Sequence, residues 1–344
     1  MSSTDLPRGL RYSTDSARGC TRRRCGRGFA YYDPEGKHIR EMDTLQRFRA
    51  LAVPPAYVDV WLCVDPRGHL QATGRDARGR KQYRYHEAYR AYRESLKFTR
   101  LADFGAALGG IRRGANRVLR RSDPGEKAYA CALVVKRLDA TGFRVGCERY
   151  LRENRTRGML TLTTGNLEVD NAAGRMEFDF RAKGGKRVKR QVERRHLARC
   201  VRRLQELPGQ RIFVYRNGMG EWSDLCSEDV NAFLGELAGQ PFSAKDFRTW
   251  IGTREAAAVL AKLDPDELGL GEAWQRAISS AAETLGNTKA VARKSYVHPA
   301  LEDEEAWTFF RAAEQKGGAS TRRGLSREEC TLVDFLEGWG GKNA

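Results

Sequence analysis

Tyr296 ends a run, Asn287-Thr288-Lys289-Ala290-Val291-Ala292-Arg293-Lys294-Ser295-Tyr296, in which three cations precede it. A phenol titrates near pH ~10 and is a poor nucleophile at neutral pH until its surroundings favour the anion. Cations do that, and they also draw in a phosphodiester. Alone, a tyrosine beside Lys and Arg reads equally as a solvated helix face. Four further groups stand upstream in order: Arg144 in Thr141-Gly142-Phe143-Arg144-Val145-Gly146, Lys183 in Phe178-Asp179-Phe180-Arg181-Ala182-Lys183-Gly184, Arg248 in Lys245-Asp246-Phe247-Arg248-Thr249-Trp250, and Asn287. A guanidinium is planar, permanently charged and able to hold two oxygens, which suits a transition state that gathers negative charge on phosphate oxygens. An ammonium on a hairpin suits protonation of a leaving alkoxide. Lys183, Lys186 and Lys189 all lie in that hairpin, and the residues alone do not choose among them. Each group has a plainer reading too: Arg144 as a cation closing a helix, Arg248 as half of a surface ion pair, Asn287 as a helix cap after Gly286.

The whole chain is biased the same way. Its 344 residues leave room for two domains, and 62 Lys plus Arg against 44 Asp plus Glu give a net charge of +18. A surplus of that size points to a polyanion, nucleic acid ahead of anionic membrane. The surplus is clustered: residues 1–30 hold seven Arg against two Asp, and residues 181–203 hold eleven Lys or Arg against one acid, Glu193. Separate basic stretches suit a protein that surrounds a duplex better than one with a single basic tail. The apolar run at 130–135 is far too short to cross a bilayer, and the polar opening residues carry no secretory signal. Eight cysteines show no framework spacing, and no second pair or close histidine completes a zinc site with Cys20 and Cys25. Reduced thiols and a cytoplasmic location are therefore expected.

The patterning predicts an α+β protein: a small antiparallel β-rich lobe over residues 1–95, then a mostly helical domain with a small β-island over 96–344. Strands are expected at 29–32 and 37–40 around Asp33-Pro34-Glu35-Gly36, at 58–64 and 69–72 around Asp65-Pro66-Arg67-Gly68, and at 81–85. Helical spacing marks 101–121 and 128–138, the second opened by Ser122-Asp123-Pro124-Gly125-Glu126. The island takes 159–163, 167–170, 176–181 and 188–192; helices resume near 194 and at 227–237, 243–263 and 271–285. The Arg-rich start and the final forty residues receive no role.

In this order the motifs resemble the type IB DNA topoisomerases, in the small poxvirus-like form found in bacteria, over roughly residues 28–298. The resemblance implies a C-shaped clamp on double-stranded DNA. Tyr296 attacks a phosphodiester, forms a 3′-phosphotyrosyl link and releases a 5′-hydroxyl that later attacks back, with no ATP because the link stores the bond energy. It assigns Arg144 and Arg248 to the phosphate and selects Lys183 as the proton donor. Asn287 stands where many relatives carry histidine; its amide donates the same hydrogen bond to a phosphate oxygen but neither carries charge nor titrates. Residues 74–85 resemble the family's strand that enters the major groove, which makes Arg80, Gln82, Tyr83 and Tyr85 DNA contacts, with Lys245 a further one in the second domain. Lys245 stands three residues before Arg248, where tyrosine recombinases usually place histidine, and together with the β-rich first lobe it sets that alternative below the topoisomerase. A DNA-binding architectural protein without catalysis is the other alternative. No cofactor and no essential metal are expected, with magnesium at most a stimulant. A cytoplasmic, nucleoid-associated monomer follows from the resemblance.

Overall fold

The Arg-rich start, which hydropathy leaves unassigned, is a strand. In the computed structural model, which describes residues 6–146, 148–264, 267–317 and 321–343, the chain divides into two compact units, Met1–Lys97 and Phe98–Ala344.

The first unit is an antiparallel sheet in the order β2-β1-β3-β4-β5, made of β1 (Cys20–Cys25), β2 (Gly28–Tyr32), β3 (Val58–Leu62), β4 (Leu70–Arg75) and β5 (Lys81–Tyr85). Helix α1 (Met42–Ala50) drops Phe48 onto Cys20, Tyr31, Val60, Leu62 and Ala72 to form its core. Arg22 explains how a basic segment can pair here. Its guanidinium stacks on Phe29 at 4.0 Å and donates to the carbonyls of Val53 and Pro54, both at 2.7 Å, so it is spent on structure. The strand expected at 37–40 shrinks to one bridge, Tyr32 to His38. The Asp33 carboxylate accepts the N–H groups of Glu35 and Lys37 and winds the chain into a tight turn, while β1 takes the full length of β2. β5 closes the sheet with Tyr83 and Tyr85 exposed on one face, their rings stacked 6.2 Å apart. Gln82 lies on the other face of the pleat, and its amide donates to Asp76 at 3.0 Å, beside the Arg80 guanidinium at 2.7 Å.

Helix α2 (Glu87–Thr99) runs across the division. The second unit follows with α3 (Leu101–Arg121), α4 (Lys127–Thr141), α5 (Glu148–Asn154), the antiparallel sheet of β6 (Leu167–Asp170), β7 (Arg175–Arg181) and β8 (Arg187–Glu193), α6 (Arg195–Gln205), the hairpin of β9 (Val214–Arg216) and β10 (Trp222–Asp224), then α7 (Ser227–Ala238), α8 (Ala244–Lys262), α9 (Leu270–Leu285), α10 (Lys289–Ser295), α11 (Glu304–Gln315) and α12 (Arg327–Asn343). The β9–β10 hairpin is not foreseen by the patterning. Residues 159–163 are not a strand either. The N–H groups of Met159 and Leu160 are taken by the carbonyls of Arg144 and Val145, and the chain then tightens into a 3₁₀ turn. The segment 122–126 is a turn whose last residue, Glu126, is the N-cap of α4 with no side-chain cap bond: Asp123 accepts the Gly125 N–H, and Glu126 accepts the Asp123 N–H.

Helix α8 is the hub, buried through Phe247, Trp250, Ile251, Ala256 and Leu260. Gly105 on α3 leaves space for the Trp250 ring; a Cβ there would fall 2.4 Å from it. The last helix is tied to this core by charge. Arg112 of α3 spans Asp139 of α4 at 2.8 Å and Glu329 of α12 at 2.7 Å, and Arg254 of α8 approaches Glu329 at 3.5 Å. Burial pushes the Glu329 carboxyl up, but Arg112, the Ser326 N–H and Arg254 outweigh it and hold the group down at about 2 from an ordinary 4.5. A carboxyl depressed on folding contributes stability above its unfolded pKa, and that stability fades as pH falls toward the folded value. Glu329→Gln is therefore expected to cost about 3 kcal/mol at neutral pH. In urea titrations its deficit against the parent should shrink steadily from about pH 4.5 down to about pH 2; a deficit that does not change with pH would refute the assignment.

Candidate active site

Four segments of the second unit bring the singled-out residues together. The first is the end of α4. Gly142 closes that helix in the left-handed conformation at φ +63°. The next two side chains then part: Phe143 packs edge-on against Phe178 and Phe180 of β7, and Arg144 faces the cleft. Gly146 (φ +78°) crosses Gly158 with backbone against backbone, since a Cβ on Gly146 would lie 2.7 Å from the Gly158 Cα. The Arg144 loop is thus clamped at both ends.

The second segment is the start of α8. Ser243 and Asp246 cap it, with the Asp246 carboxylate accepting the Ser243 N–H at 2.7 Å. Lys245 and Arg248 lie one turn apart on the same face. Arg248 is only 4% exposed. It donates to the Gly142 carbonyl and, at 3.0 Å, to that of Leu285, the two closing residues of α4 and α9. Helix C-termini present partial negative charge, so the buried cation sits where that charge meets it. Its Cζ lies 4.7 Å from the centre of the Tyr296 ring.

The third segment is the β7–β8 hairpin, whose tip Lys183–Gly185 turns through Gly184 and Gly185 at φ +77° each. The fourth runs from α9 to Tyr296. Gly286 closes α9 at φ +63°, and the Asn287 N–H reaches back to the Ala282 carbonyl at 2.8 Å, so its backbone does cap the helix. Its side chain has another task. Arg144 donates to Asn287 Oδ1 at 2.5 Å, which fixes the amide's orientation and leaves its NH₂ as a buried donor with no acceptor among the described residues. Arg248 Nε is a second such donor. Two unsatisfied donors in one site suit an anionic oxygen.

Tyr296 closes α10. Gly252, one turn after Arg248, lets α8 approach it; a Cβ there would lie 2.7 Å from the Tyr296 carbonyl. The Thr253 hydroxyl donates to that carbonyl at 3.2 Å and accepts the His298 N–H at 3.1 Å. His298 Nδ1 accepts the Ala300 N–H, a capping role away from the chemistry. Burial raises the Tyr296 phenol, and the charges of Arg248, Arg144 and Lys245 more than reverse that, holding it below the usual tyrosine value.

Arg144, Lys183, Lys245, Arg248 and Tyr296 line one cleft of about 350 Å³. A neighbouring cleft of about 460 Å³ shares Arg144, Lys183 and Arg248 and adds Lys186 and Lys189. Of the three hairpin lysines, Lys183 is the one that lines the cleft holding Tyr296; Lys189 pairs with Glu177 at 3.3 Å. Arg80, Gln82, Tyr83 and Tyr85 belong to the other unit. Arg157 was not foreseen. It lines both clefts and donates to the Thr161 carbonyl at 2.6 Å. The only trace of it in the sequence is a cation ahead of Gly158. Thr253 was missed as well, because a hydroxyl that holds a main-chain carbonyl leaves no charge pattern.

A phenol flanked by cations, with a hairpin ammonium lining the same cleft, suits transesterification of a phosphodiester. Residues 86–312 match the family Eukaryotic DNA topoisomerase I, catalytic core, and residues 28–76 match Bacterial DNA topoisomerase IB, N-terminal domain. The chain belongs to the type IB DNA topoisomerases. It is 28% identical over 289 residues to the DNA topoisomerase 1B of Acanthamoeba polyphaga mimivirus, covering 81% of this chain and 85% of the viral one. Among solved structures, the XerH site-specific recombinase bound to palindromic difH substrate overlaps 74% of this chain and 61% of its own, at 13% identity and a TM-score of 0.34. Among the described residues, no helix is long and apolar enough to cross a membrane.

The Thr253 contact gives a test of how Tyr296 is placed. Thr253→Val keeps the volume and removes both hydrogen bonds. Small displacements of reacting groups can cost about 100-fold. Single-turnover strand cleavage should fall by about that factor with DNA affinity retained, and Thr253→Ser should restore it. Equal rates for all three proteins would show that the contact does not position Tyr296.

Proposed function

We propose that Tyr296 is the nucleophile of a swivelling reaction on double-stranded DNA. Tyr296 first loses its phenolic proton to water, a loss that the charges of Arg248, Arg144 and Lys245 favour; the phenolate Oη attacks phosphorus, the P–O5′ bond breaks, and the departing oxygen takes a proton from the Lys183 ammonium to leave as a 5′-hydroxyl. The phosphate stays on Tyr296 as a 3′-phosphodiester. Arg144 and Arg248 hold the non-bridging oxygens as charge accumulates, and the Asn287 amide donates to one of them. Reversal reseals the strand with no net bond energy spent, so neither ATP nor a metal is required, and magnesium acts only through bulk electrostatics. Lys245, Arg80, Gln82, Tyr83 and Tyr85 contact the duplex. The protein works as a cytoplasmic, nucleoid-associated monomer.

One observation carries this reading: a phenol held below its ordinary pKa lines a single cleft with Arg144, Arg248, Lys183 and Lys245. The direct test is relaxation of negatively and positively supercoiled plasmid in EDTA without ATP. The parent should relax both; Tyr296→Phe, which loses one oxygen, should bind DNA and relax neither. Relaxation by the mutant would exclude Tyr296 as nucleophile.

The pH profile tests the surrounding charges. Cleavage should rise with pH through an apparent pKa below the tyrosine reference of about 10. Arg144→Gln removes a cation that favours the phenolate, so it should move that limb to higher pH as well as slow the reaction. No inflection should appear near the histidine value of about 6.5, because Asn287 does not titrate. An unmoved alkaline limb in Arg144→Gln would sever Arg144 from the Tyr296 equilibrium.

A further inference from the structure

Along β8 exposed positions alternate with inward ones, and Val188, Arg190 and Val192 form the inward row. The two valines pack on the core, which makes a guanidinium between them the odd residue of the strand. It is half-buried, opposite the buried Phe178 of β7. The ends of two helices receive it there. Arg190 Nη1 donates to the Thr141 carbonyl of α4 at 2.7 Å and to the Thr284 carbonyl of α9 at 3.2 Å. These residues adjoin Gly142 and Leu285, whose carbonyls Arg248 takes. Two arginines from different elements thus bridge the same pair of helix C-termini, where partial negative charge favours a cation. The Arg190 Cζ also stands 5.7 Å from the centre of the ring of Phe143, the residue before Arg144. Burial lowers the Arg190 guanidinium from its ordinary value and Glu255 opposes that, but an arginine so placed stays charged at neutral pH.

The two arginines differ in what they carry. Arg248 belongs to α8, whereas Arg190 belongs to the strand that returns from the hairpin tip, seven residues after Lys183. It lines the cleft of about 460 Å³ together with Lys183, Arg144 and Arg248. The outgoing strand has a tie of its own, since the Arg181 carbonyl accepts the Arg157 N–H at 2.7 Å. The hairpin is therefore moored on both strands, and on β8 the mooring is a side chain. A proton donor has to come within about 3 Å of the atom that it protonates. Where the hairpin sits against the ends of α4 and α9, which lead into Arg144 and Asn287, decides whether Lys183 meets that condition.

We infer that Arg190 is a positioning residue for proton transfer: by bracing β8 against the ends of α4 and α9, it sets where Lys183 stands relative to the phosphate held by Arg144 and Arg248. The inference rests on the reaction proposed above and deepens it. It gives a residue outside the reacting groups control over one step, protonation of the departing O5′, and it requires no contact between Arg190 and DNA.

The leaving atom supplies the test. A duplex in which sulfur replaces the bridging O5′ at a mapped cleavage site expels a thiolate. A thiol titrates near pH ~8.5, far below an alcohol, so this group departs without needing a proton. Arg190→Met keeps an apolar stem beside Phe143 and removes the brace. Its single-turnover cleavage of ordinary DNA should fall by about 100-fold with DNA affinity retained, while its cleavage of the sulfur duplex should match the parent's. Adding Lys183→Ala to Arg190→Met should cost less than the same change costs the parent, because both act on one step. Should Arg190→Met not fold, Arg190→Lys is read in its place and should show the same contrast with a smaller loss. A variant slowed alike on both duplexes acts through the phosphate or the fold, and a variant equal to the parent on both positions nothing; either result overturns the inference, as do losses that simply multiply in the double mutant. Lys183→Ala alone separates this inference from the reading beneath it. If sulfur restores Lys183→Ala but not Arg190→Met, the inference fails and the proposed reaction stands. If sulfur fails to restore Lys183→Ala, Lys183 is not the proton donor, and the reaction as proposed falls together with the inference.

Discussion

Arg248 holds the catalytic unit and its chemistry in one place. A buried guanidinium without a carboxylate partner would be costly to fold around. Here it is met by carbonyls at the ends of two helices, Gly142 of α4 and Leu285 of α9, and by the face of the Tyr296 ring. Those contacts join the loop that carries Arg144, the turn that carries Asn287, and Tyr296. Because carbonyls solvate the cation without cancelling its charge, it still acts on the phenol. A carboxylate in their place would have stabilised the fold and silenced the site.

The remaining groups are placed by how closely the backbones approach. α8 meets the Tyr296 main chain because Gly252 has no side chain, and Thr253 takes up the carbonyl that this approach brings near. The Arg144–Asn287 hydrogen bond passes order from one helix end to the other and aims an amide donor that would otherwise be free to flip. Lys183 differs in kind. It sits on a hairpin tip that turns through two positive-φ glycines, whereas Arg248 is held on a packed helix and Arg144 on a loop that follows one.

The sequence made much of this legible. Arg144, Arg248 and Tyr296 stand in short motifs whose residue types answer a single chemical need, and α3, α8 and α9 follow helical spacing to within a residue or two of their ends. What it hid has physical causes. β1 pairs through its backbone while Arg22 is absorbed by three loop carbonyls, so its composition looks like a loose basic tail. Residues 159–163 have strand-like composition, but their N–H groups are claimed by Arg144 and Val145, a contact with no signature in hydropathy. Thr253 and Arg157 work through main-chain carbonyls, which every residue possesses and no pattern marks. One tie of α12 to the core is the buried carboxylate of Glu329, whose arginine partners lie more than seventy residues away along the chain.

The crossing of Gly146 and Gly158 has a consequence for how this protein can change over generations. Each residue leaves room for the other's backbone and for nothing more. Every single-codon replacement of either glycine adds at least a Cβ, and a neighbouring substitution cannot relieve a clash between main chains. The side chains around the cleft can drift by small steps, trading charge and volume with their neighbours. The path of the Arg144 loop cannot, so altered substrate preferences in descendants of this chain would arise in the hairpin and the cleft walls, with the crossing carried along unchanged.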